Sequence, residues 1–285
     1  MKFLIGILTS KKIDKLDRCI QSALIQVDPK DIVIIINSLD TDYNNLAKIL
    51  AEKYNLKSVI TESNGKPGKG KNSLLRYFLD SDYEYLIPID GDDILLPNAV
   101  GILANVAQTR TPDVLGLIDG LVLLDGKTFP IKEWQDHEVL INRSIENTEP
   151  KNLRRLNLHV AKIKKIASEQ GNTLSRFVLL SKRGASVIEY DQELTGAEDI
   201  KQSLQLKLLQ KQDKINYILL SSKDVYLYDV DDPGSCFAVC NSDPIEEFNR
   251  FWKDFTGEEI NILQSFQLEY INVENGFFYS VERSS

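Results

Sequence analysis

Three unbroken apolar runs in the first third of the chain constrain its fold more than any other feature. They cover residues 3–8 (Phe-Leu-Ile-Gly-Ile-Leu), 31–36 (Asp-Ile-Val-Ile-Ile-Ile) and 85–89 (Tyr-Leu-Ile-Pro-Ile). Strands without polar alternation are covered on both faces, as in parallel sheets. The segments between them predict helices over 15–26, 43–54 and 73–79, and one more strand near 58–61. This alternation predicts a doubly wound α/β sheet with right-handed crossovers.

The rest of the chain continues the α/β pattern with longer polar stretches. We predict helices over 98–107, 153–167, 198–209 and 245–255, and strands near 114–118, 121–124, 177–180 and 224–228. No internal repeat, low-complexity tract or linker divides the sequence. We therefore expect one α/β domain over residues 1–240, with a Rossmann-like, mostly parallel sheet flanked by helices. Residues 241–285 are expected to form a C-terminal helical appendage packed on that domain.

The composition limits the classes of partner and compartment. The 285 residues include 34 Lys and Arg against 42 Asp and Glu, a formal net charge of −8. This overall charge disfavours nucleic acid and anionic membrane surfaces as partners, although a local basic patch could bind them. Three cysteines without a C-x-x-C pair and two histidines supply a zinc site poorly. Because no apolar run suits a signal peptide or a membrane helix, we expect a cytoplasmic protein without a membrane span.

Three carboxylates, Asp90, Asp92 and Asp93, follow the third apolar run. Side chains alternate along a strand, so Asp90 and Asp92 would point to the same side, and Gly91 would let a ligand approach the backbone. Hard carboxylate oxygens on one side suit Mg²⁺ or Mn²⁺, with phosphate oxygens completing the shell. The alternative is a solvated acidic turn before the helix that follows. We favour the metal site because open α/β sheets bind ligands at the carboxyl ends of their strands.

The segment from Gly65 to Ser73 (Gly-Lys-Pro-Gly-Lys-Gly-Lys-Asn-Ser) falls one residue short of a P-loop. It suggests an ATPase or kinase, in which Asp90 would be the strand aspartate behind Mg²⁺. Against this, Asn72 stands where a P-loop needs a hydroxyl, and the segment follows the third predicted strand rather than the first. A flexible surface loop is a further alternative. Lysines that enter a helix N-terminus would nevertheless favour a phosphate.

An acidic pair, Glu198 and Asp199, occupies the first turn of a predicted helix after Gly196. Acidic residues are common at helix N-termini because they interact favourably with the helix dipole. A carboxylate fixed at such a position can also act as a general base. The sequence leaves both interpretations open for this pair.

Taken in order, these segments resemble the GT-A glycosyltransferases, specifically their family 2, over roughly residues 3–240. The first predicted strand ends in Thr9, similar to the family's Thr-containing loop, and Asp90-Gly91-Asp92 is similar to its DxD signature. The segment from Asn64 to Asn72 resembles the family's Asn-x-Gly…Ala-Arg-Asn segment. Gly196-Ala197-Glu198-Asp199 resembles the Gly-x-Glu-Asp motif that carries the family's catalytic base. Four short motifs in the right order are more specific than any one of them.

Two segments depart from the family pattern. Asn37 and Ser38 replace the acidic residues that contact the base or ribose of the donor. Near the end of the resemblance, Tyr228 to Ser235 lacks the family's histidine, and Asp231 or Asp232 would take its place at the metal.

The resemblance implies three groups of site residues. It implies Asp199 as the catalytic base with Glu198 beside it, and Asp92, supported by Asp93 and Asp232, as the ligands of Mn²⁺ or Mg²⁺. It also implies six residues that contact the donor: Thr9, Asn37, Ser38, Lys71, Asn72 and Asp90. Among them, Asp90 would contact the ribose side.

The reaction that the resemblance implies is inverting, metal-dependent transfer of a sugar from a nucleoside-diphosphate sugar. The expected donor is a UDP-sugar, and the acceptor is a hydroxyl on a glycan or another molecule. Two alternatives remain at this point. One is a nucleotide-binding protein of the same fold without catalysis, and the other is the P-loop-like NTPase or kinase.

Overall fold

A computed structural model of the protein describes residues 1–124, 126–130, 176–194, 198–229, 249–274 and 277–282. Within these ranges the main sheet has nine strands, which lie in the order β13-β12-β10-β6-β9-β4-β1-β2-β3 and have the bounds given next. Its strands are β1 (Phe3–Thr9), β2 (Ile32–Ile36), β3 (Lys57–Ile60), β4 (Tyr85–Asp90), β6 (Val114–Asp119), β9 (Arg176–Ser181), β10 (Tyr217–Ser221), β12 (Tyr270–Glu274) and β13 (Phe277–Glu282). A second sheet, in the order β5-β11-β7-β8, contains β5 (Ile94–Leu95), β7 (Leu121–Leu124), β8 (Lys127–Pro130) and β11 (Tyr226–Asp229).

The described helices are named here α1 to α7. They are α1 (Ile13–Leu24), α2 (Thr41–Lys53), α3 (Pro67–Leu79), α4 (Ala99–Arg110), α5 (Lys182–Ser186), α6 (Glu198–Lys211) and α7 (Gly257–Ser265), with a short 3₁₀ turn at Pro29–Asp31. Local sequence explains several helix starts. The Asp40 side chain accepts hydrogen bonds from two backbone N–H groups of α2, and α3 begins with a proline, which is pre-organised for the first helical position.

The main sheet is mostly parallel, as the sequence predicts. Strands β3, β2, β1 and β4 run parallel to one another, and so do β6, β10 and β12. Strand β9 lies between these two parallel groups and is antiparallel to both β4 and β6. The prediction of an α/β fold with a Rossmann-like, mostly parallel sheet flanked by helices is confirmed.

Apolar side chains cover both faces of the main sheet. Alternate residues of β2 face opposite sides: Ile34 packs with Leu16 and Ala47 of α1 and α2, whereas Val33 packs with Phe78 of α3. A third, smaller cluster joins α6 to the C-terminal segment through Leu194, Leu204, Leu208, Phe251, Phe255 and Leu263. Within the described ranges, no helix is both long and apolar enough to cross a membrane.

The structure differs from the sequence predictions in several places, among them the short elements β5, β8 and α5, which were not predicted. Helix α3 begins at Pro67 rather than at Ser73, so most of the glycine- and lysine-rich segment is helical. Strand β10, from Tyr217, was not predicted, although its residues are nearly all buried. The segment after residue 240, expected to be helical, is helical at 249–252 and in α7 but also adds β12 and β13 to the main sheet. The helix predicted over 153–167 lies outside the described residues.

Candidate active site

The candidate site lies where β1, β2 and β4 end. The N–H of Gly91 donates to the Leu8 carbonyl at 2.7 Å, and the N–H of Asn37 donates to the Thr9 carbonyl at 2.8 Å. A Cβ at Gly91 would lie 2.9 Å from the Cβ of Thr9, so only glycine fits this approach without a shift. Thr9 is buried, and its hydroxyl is hydrogen-bonded to that of Tyr43. The carboxyl ends of β1, β2 and β4 therefore lie side by side at the candidate site.

Asp90, Asp92 and Asp93 form a compact acidic cluster at the end of β4. One carboxylate oxygen of each lies within 4.8 Å of the others. Asp93 is completely buried and accepts hydrogen bonds from the Tyr226 hydroxyl at 2.5 Å and from the Asp229 N–H at 2.9 Å. Burial and the neighbouring Asp92 hold the pKa of Asp93 well above its usual value, although Arg176 opposes this shift.

The cluster suits a hard divalent cation. Its donors are all carboxylate oxygens, the ligands that Mg²⁺ and Mn²⁺ prefer. Burial and the charge of Asp90 raise the pKa of Asp92, which is half-buried. The described ion pairs of the cluster involve Asp90 and Asp93 and leave Asp92 out. A cation beside Asp92 would relieve this repulsion, so the residues present fit the predicted metal.

Glu198 and Asp199 are the first two residues of α6, and the carboxylates of both pair with the same cation, Lys71. The Lys71 ammonium donates to Glu198 Oε1 at 2.7 Å and also to Asp199 Oδ1. Burial would lower the pKa of Lys71, but Asp199 and Glu198 raise it well above its usual value. Burial raises the pKa of Glu198, and Lys71 opposes that shift. Lys71 therefore lies against the predicted base rather than alone at the end of a loop.

Arg176 is a site residue that the sequence analysis missed. It is the first residue of β9, and its guanidinium pairs with Asp90 and lies 3.8 Å from an Asp199 oxygen. The same group lies 4.0 Å from Asp93 and 5.0 Å from the centre of the Tyr228 ring. Arg176 belongs to no motif, and a basic residue before an apolar strand gives no local signal of this role. Only its position in the sheet brings it to the site.

Asp229 is a second residue that the sequence analysis missed, and it links the acidic cluster to two basic residues of α1. Its N–H donates to Asp93, and its carboxylate, 1% exposed, pairs with Lys15 at 3.0 Å and with Arg18. These ion pairs connect β11 of the second sheet to α1, which packs on the main sheet. They hold the backbone that supports Asp93.

Asn37 and Asn72 lie near the site with their amides bonded to other parts of the chain. Asn37 accepts from the Thr61 hydroxyl at 2.8 Å and donates to the Lys66 carbonyl at 3.0 Å. Asn72 both donates to and accepts from the backbone of Tyr190, at 2.9 Å each. Both amides thus fix the loops around the site.

Ser38 lies at the start of the turn that leads into α2. Its hydroxyl accepts from the N–H of Asp40 at 3.2 Å. Asp231 and Asp232, and Gly196 and Ala197 of the motif before Glu198, lie outside the described residues.

The glycine- and lysine-rich segment does not form a P-loop. Residues 67–72 are the first turns of α3, whereas a P-loop wraps its backbone around phosphates before the helix begins. The glycines allow close packing instead. A Cβ at Gly68 would lie 2.4 Å from the Asp191 carbonyl oxygen, and one at Gly70 would lie 2.7 Å from the Asn37 side chain. The P-loop and flexible-loop alternatives are therefore both wrong for residues 67–72.

A cavity of about 840 Å³ lies between α6, the 187–193 segment and the start of α7. This volume is typical of small-ligand sites. Its lining is largely polar and includes Glu198, Lys201, Gln202 and Gln205 of α6, together with Tyr190 and Phe255, but not Asp199.

Comparison with known proteins gives relatives by structure but not by sequence. No protein-family model matches the sequence, and no curated protein sequence matches it. The crystal structure of S. aureus TarS 1-349 superimposes with a TM-score of 0.57 at 18% identity, over 93% of this chain and 70% of that one. Its complex with UDP-GlcNAc gives a TM-score of 0.58 at 18% identity, over 93% and 71%. The longer TarS structure gives 0.55 at 19%, over 92% of this chain and 42% of that one. The chain therefore has the GT-A glycosyltransferase fold.

Proposed function

We propose that the protein transfers a sugar from a nucleoside-diphosphate sugar to an acceptor hydroxyl, with a divalent cation and with inversion at the anomeric carbon. One observation carries this proposal. The acidic cluster at the end of β4 and the Glu198–Asp199 pair of α6 lie at the same edge of the sheet, and Arg176 approaches both within 4.0 Å. A metal-capable site and a candidate base at this spacing suit a displacement in which one side holds the leaving group and the other activates the acceptor.

Asp92 would hold Mn²⁺ or Mg²⁺, with Asp93 behind it and Asp232 as a further ligand. When bound, the cation neutralises charge on the departing diphosphate. The Asp93 side chain is held by the Tyr226 hydroxyl and the Asp229 N–H. Because Asp92 is its neighbour in the chain, these bonds also limit the movement of the Asp92 backbone. Asp90, paired with Arg176, would face the ribose side of the donor.

Asp199 would take the proton of the acceptor hydroxyl. Its carboxylate is partly exposed, whereas that of Glu198 is almost fully buried and would hold Lys71 in place. Lys71 would then lie between the base and the donor.

The donor is proposed to be a UDP-sugar. The supporting observation is that structures of TarS, which share this fold, contain UDP or UDP-GlcNAc. Thr9, Asn37 and Ser38 lie at the strand ends where the nucleoside would lie, and Lys71 and Asn72 lie in the first turns of α3, which begins beside Asn37.

A thermal-shift titration of the purified protein with UDP, GDP, CDP and TDP and their sugars, with and without Mn²⁺, tests the donor. A ligand that binds the native state raises the melting temperature. Stabilisation by one diphosphate that depends on Mn²⁺ is the expected result. No response to any nucleotide, with the protein folded, would contradict the proposal.

Two variants test the division of roles between the metal side and the base side. Asp92→Asn should abolish the Mn²⁺-dependent shift. Asp199→Asn should keep that shift and lower the transfer rate by about 10²- to 10⁴-fold, the usual contribution of a general base. Asp28→Asn, an exposed aspartate outside the site, is the matched control and should change neither property. Equal loss of donor binding in Asp92→Asn and Asp199→Asn would contradict the division, and an NMR assignment of the product anomer tests inversion.

One observation favours a second candidate, nucleotide binding without turnover. Lys71 pairs with Asp199, and a carboxylate oxygen that already accepts a hydrogen bond from an ammonium is not free to take the proton of an acceptor. In that case the thermal shift would remain while no sugar is transferred to any acceptor or to water. Measuring the thermal shift and sugar transfer on one protein preparation therefore distinguishes the two candidate functions.

A further inference from the structure

Arg176 contacts carboxylates from both sides of the candidate site. Nη1 pairs with Asp90 Oδ2 and lies 3.8 Å from Asp199 Oδ2, whereas Nη2 lies 4.0 Å from Asp93 Oδ2. Across the described part of the chain, Arg176 is the one cation within 4 Å of both the acidic cluster and Asp199. Asp90 and Asp199 lie on different elements, β4 and α6, and are 109 residues apart in the sequence.

We propose that Arg176 is a positioning residue that sets the spacing between Asp90 on the metal side and Asp199 on the base side. This inference rests on the proposed function and deepens it, because it names the group that couples the two sides. Transfer by in-line displacement depends on the distance between the base and the leaving group, and small misplacements are costly. A single side chain that holds both carboxylates controls that distance.

Arginine suits this role better than lysine. Its guanidinium is planar and presents five N–H donors in a rigid fork, so it can serve several carboxylates at once, whereas an ammonium acts as a point charge. The plane is also held from one side, since the guanidinium carbon lies 5.0 Å from the centre of the Tyr228 ring. The backbone of Arg176 is fixed too, because it pairs with Leu117 of β6 in the main sheet.

The same geometry makes Arg176 a competitor of any cation at the acidic cluster. Its positive charge lies against Asp90 and near Asp93. Removing this charge leaves the cluster more negative, so a metal ion should bind more tightly. This effect does not require that the protein transfer a sugar.

The first experiment measures Mn²⁺ binding to the full chain without any nucleotide, by calorimetric titration. Arg176→Gln should bind Mn²⁺ about tenfold more tightly than the wild type, within the usual range of coupling between neighbouring sites. Arg176→Lys, which keeps the charge, should bind within about threefold of the wild type. Arg183→Gln is the matched control, since this exposed arginine pairs with Asp113 away from the cluster. Unchanged or weaker binding in folded Arg176→Gln would overturn the proposal.

The second experiment separates positioning from mere structural support. Arg176→Lys should lower kcat by about 10- to 100-fold, because the fork is lost, while the KM for the donor changes little. Added guanidinium ion should restore part of the activity of Arg176→Ala. A kcat within about twofold of the wild type in Arg176→Lys, or a loss that follows the melting temperature and is not rescued, would overturn the proposal.

The two experiments also separate this proposal from the function on which it rests. If the wild type binds no nucleotide and transfers no sugar, the proposed function fails. The Mn²⁺ titration then still decides whether Arg176 acts on the acidic cluster.

Discussion

The N-terminal half of the molecule (residues 1–124) and the C-terminal half (described residues from 176 onward) hold their parts of the site by different forces. In the N-terminal half, all five residues of β2 (Ile-Val-Ile-Ile-Ile) are at most 1% exposed, and apolar helices cover both faces of the strand. In the C-terminal half, α6 buries five polar side chains that are each at most 5% exposed: Glu198, Lys201, Gln202, Ser203 and Lys207.

The ion pairs of Lys201 illustrate how the C-terminal half is held. Its ammonium lies 2.8 Å from Asp191 and 2.6 Å from Asp254, and thus joins α6 to two neighbouring segments. Apolar burial is non-directional and tolerates repacking, whereas a buried charge is costly unless its partners stay in place. Strand β4, which ends in the acidic cluster, therefore stands on a tolerant apolar scaffold, although Asp93 itself is bonded to Tyr226 and Asp229 of the C-terminal half. The candidate base stands on a helix that depends on pH and on single polar residues.

The largest expected effect tests the apolar half. Phe78 of α3 is completely buried, so Phe78→Ala should lower the free energy of unfolding by about 3–5 kcal/mol. The remaining folded molecules should keep their donor binding, since the loss is spread over the core. Urea unfolding monitored by circular dichroism measures the change, with the exposed neighbour in Leu79→Ala as the control. A loss below about 1 kcal/mol would show that this half is not held by apolar packing.

The next prediction tests the polar half. Lys201→Ala should lower the free energy of unfolding by roughly 2 kcal/mol, less than for a fully buried pair because Asp254 is 45% exposed. It should also reduce sugar transfer more than donor binding, since Lys201 lies on the helix that carries Asp199. Lys53→Ala, which breaks an exposed pair with Asp17, is the control and should lower the free energy of unfolding far less than Lys201→Ala does.

The pH dependence sharpens this test. Burial alone would raise the pKa of Asp191, but its hydrogen bond with Lys201 lowers it below its usual value of 3.8. A carboxyl whose folded pKa is lowered adds stability above the unfolded pKa and loses it as the pH falls through the folded pKa. The difference between the wild type and Lys201→Ala should therefore be full at pH 7 and shrink below pH 3.8. A constant difference down to pH 3 would contradict the role of this pair.

The smallest effect concerns the junction between the two halves. A Cβ at Gly68 of α3 would lie 2.4 Å from the carbonyl oxygen of Asp191, so Gly68→Ala must push these backbones apart. We expect a loss of roughly 1–2 kcal/mol and a lower transfer rate, measured by thermal unfolding and by product formation. Gly257→Ala is the matched control in α7, because a Cβ there meets nothing within 4 Å. A neutral Gly68→Ala would mean that the halves adjust independently.

Sequence reasoning succeeded where the signal was local. Unbroken apolar runs predicted β1, β2 and β4, and the carboxylates after Ile89 predicted the acidic cluster. It failed where helix and loop composition overlap. Pro67 and the glycines and lysines after it suggested a loop, yet they form the first turns of α3. The glycines are needed there because the helix packs closely against Asn37 and Asp191. Strands β12 and β13 were missed, although Tyr-Ile-Asn-Val-Glu and Phe-Phe-Tyr-Ser-Val-Glu are rich in the aromatic and β-branched residues that favour strands.

The sequence by itself determined the alternation of strands and helices, the parallel sheet and the acidic residues at the end of β4, because each follows from the period and composition of a short segment. Only the tertiary structure decided which charges meet. Arg176 pairs with Asp90 across 86 residues, and Lys71 pairs with Asp199 across 128 residues. No local pattern encodes these contacts, since they depend on the order of strands in the sheet and on how α6 is packed against it.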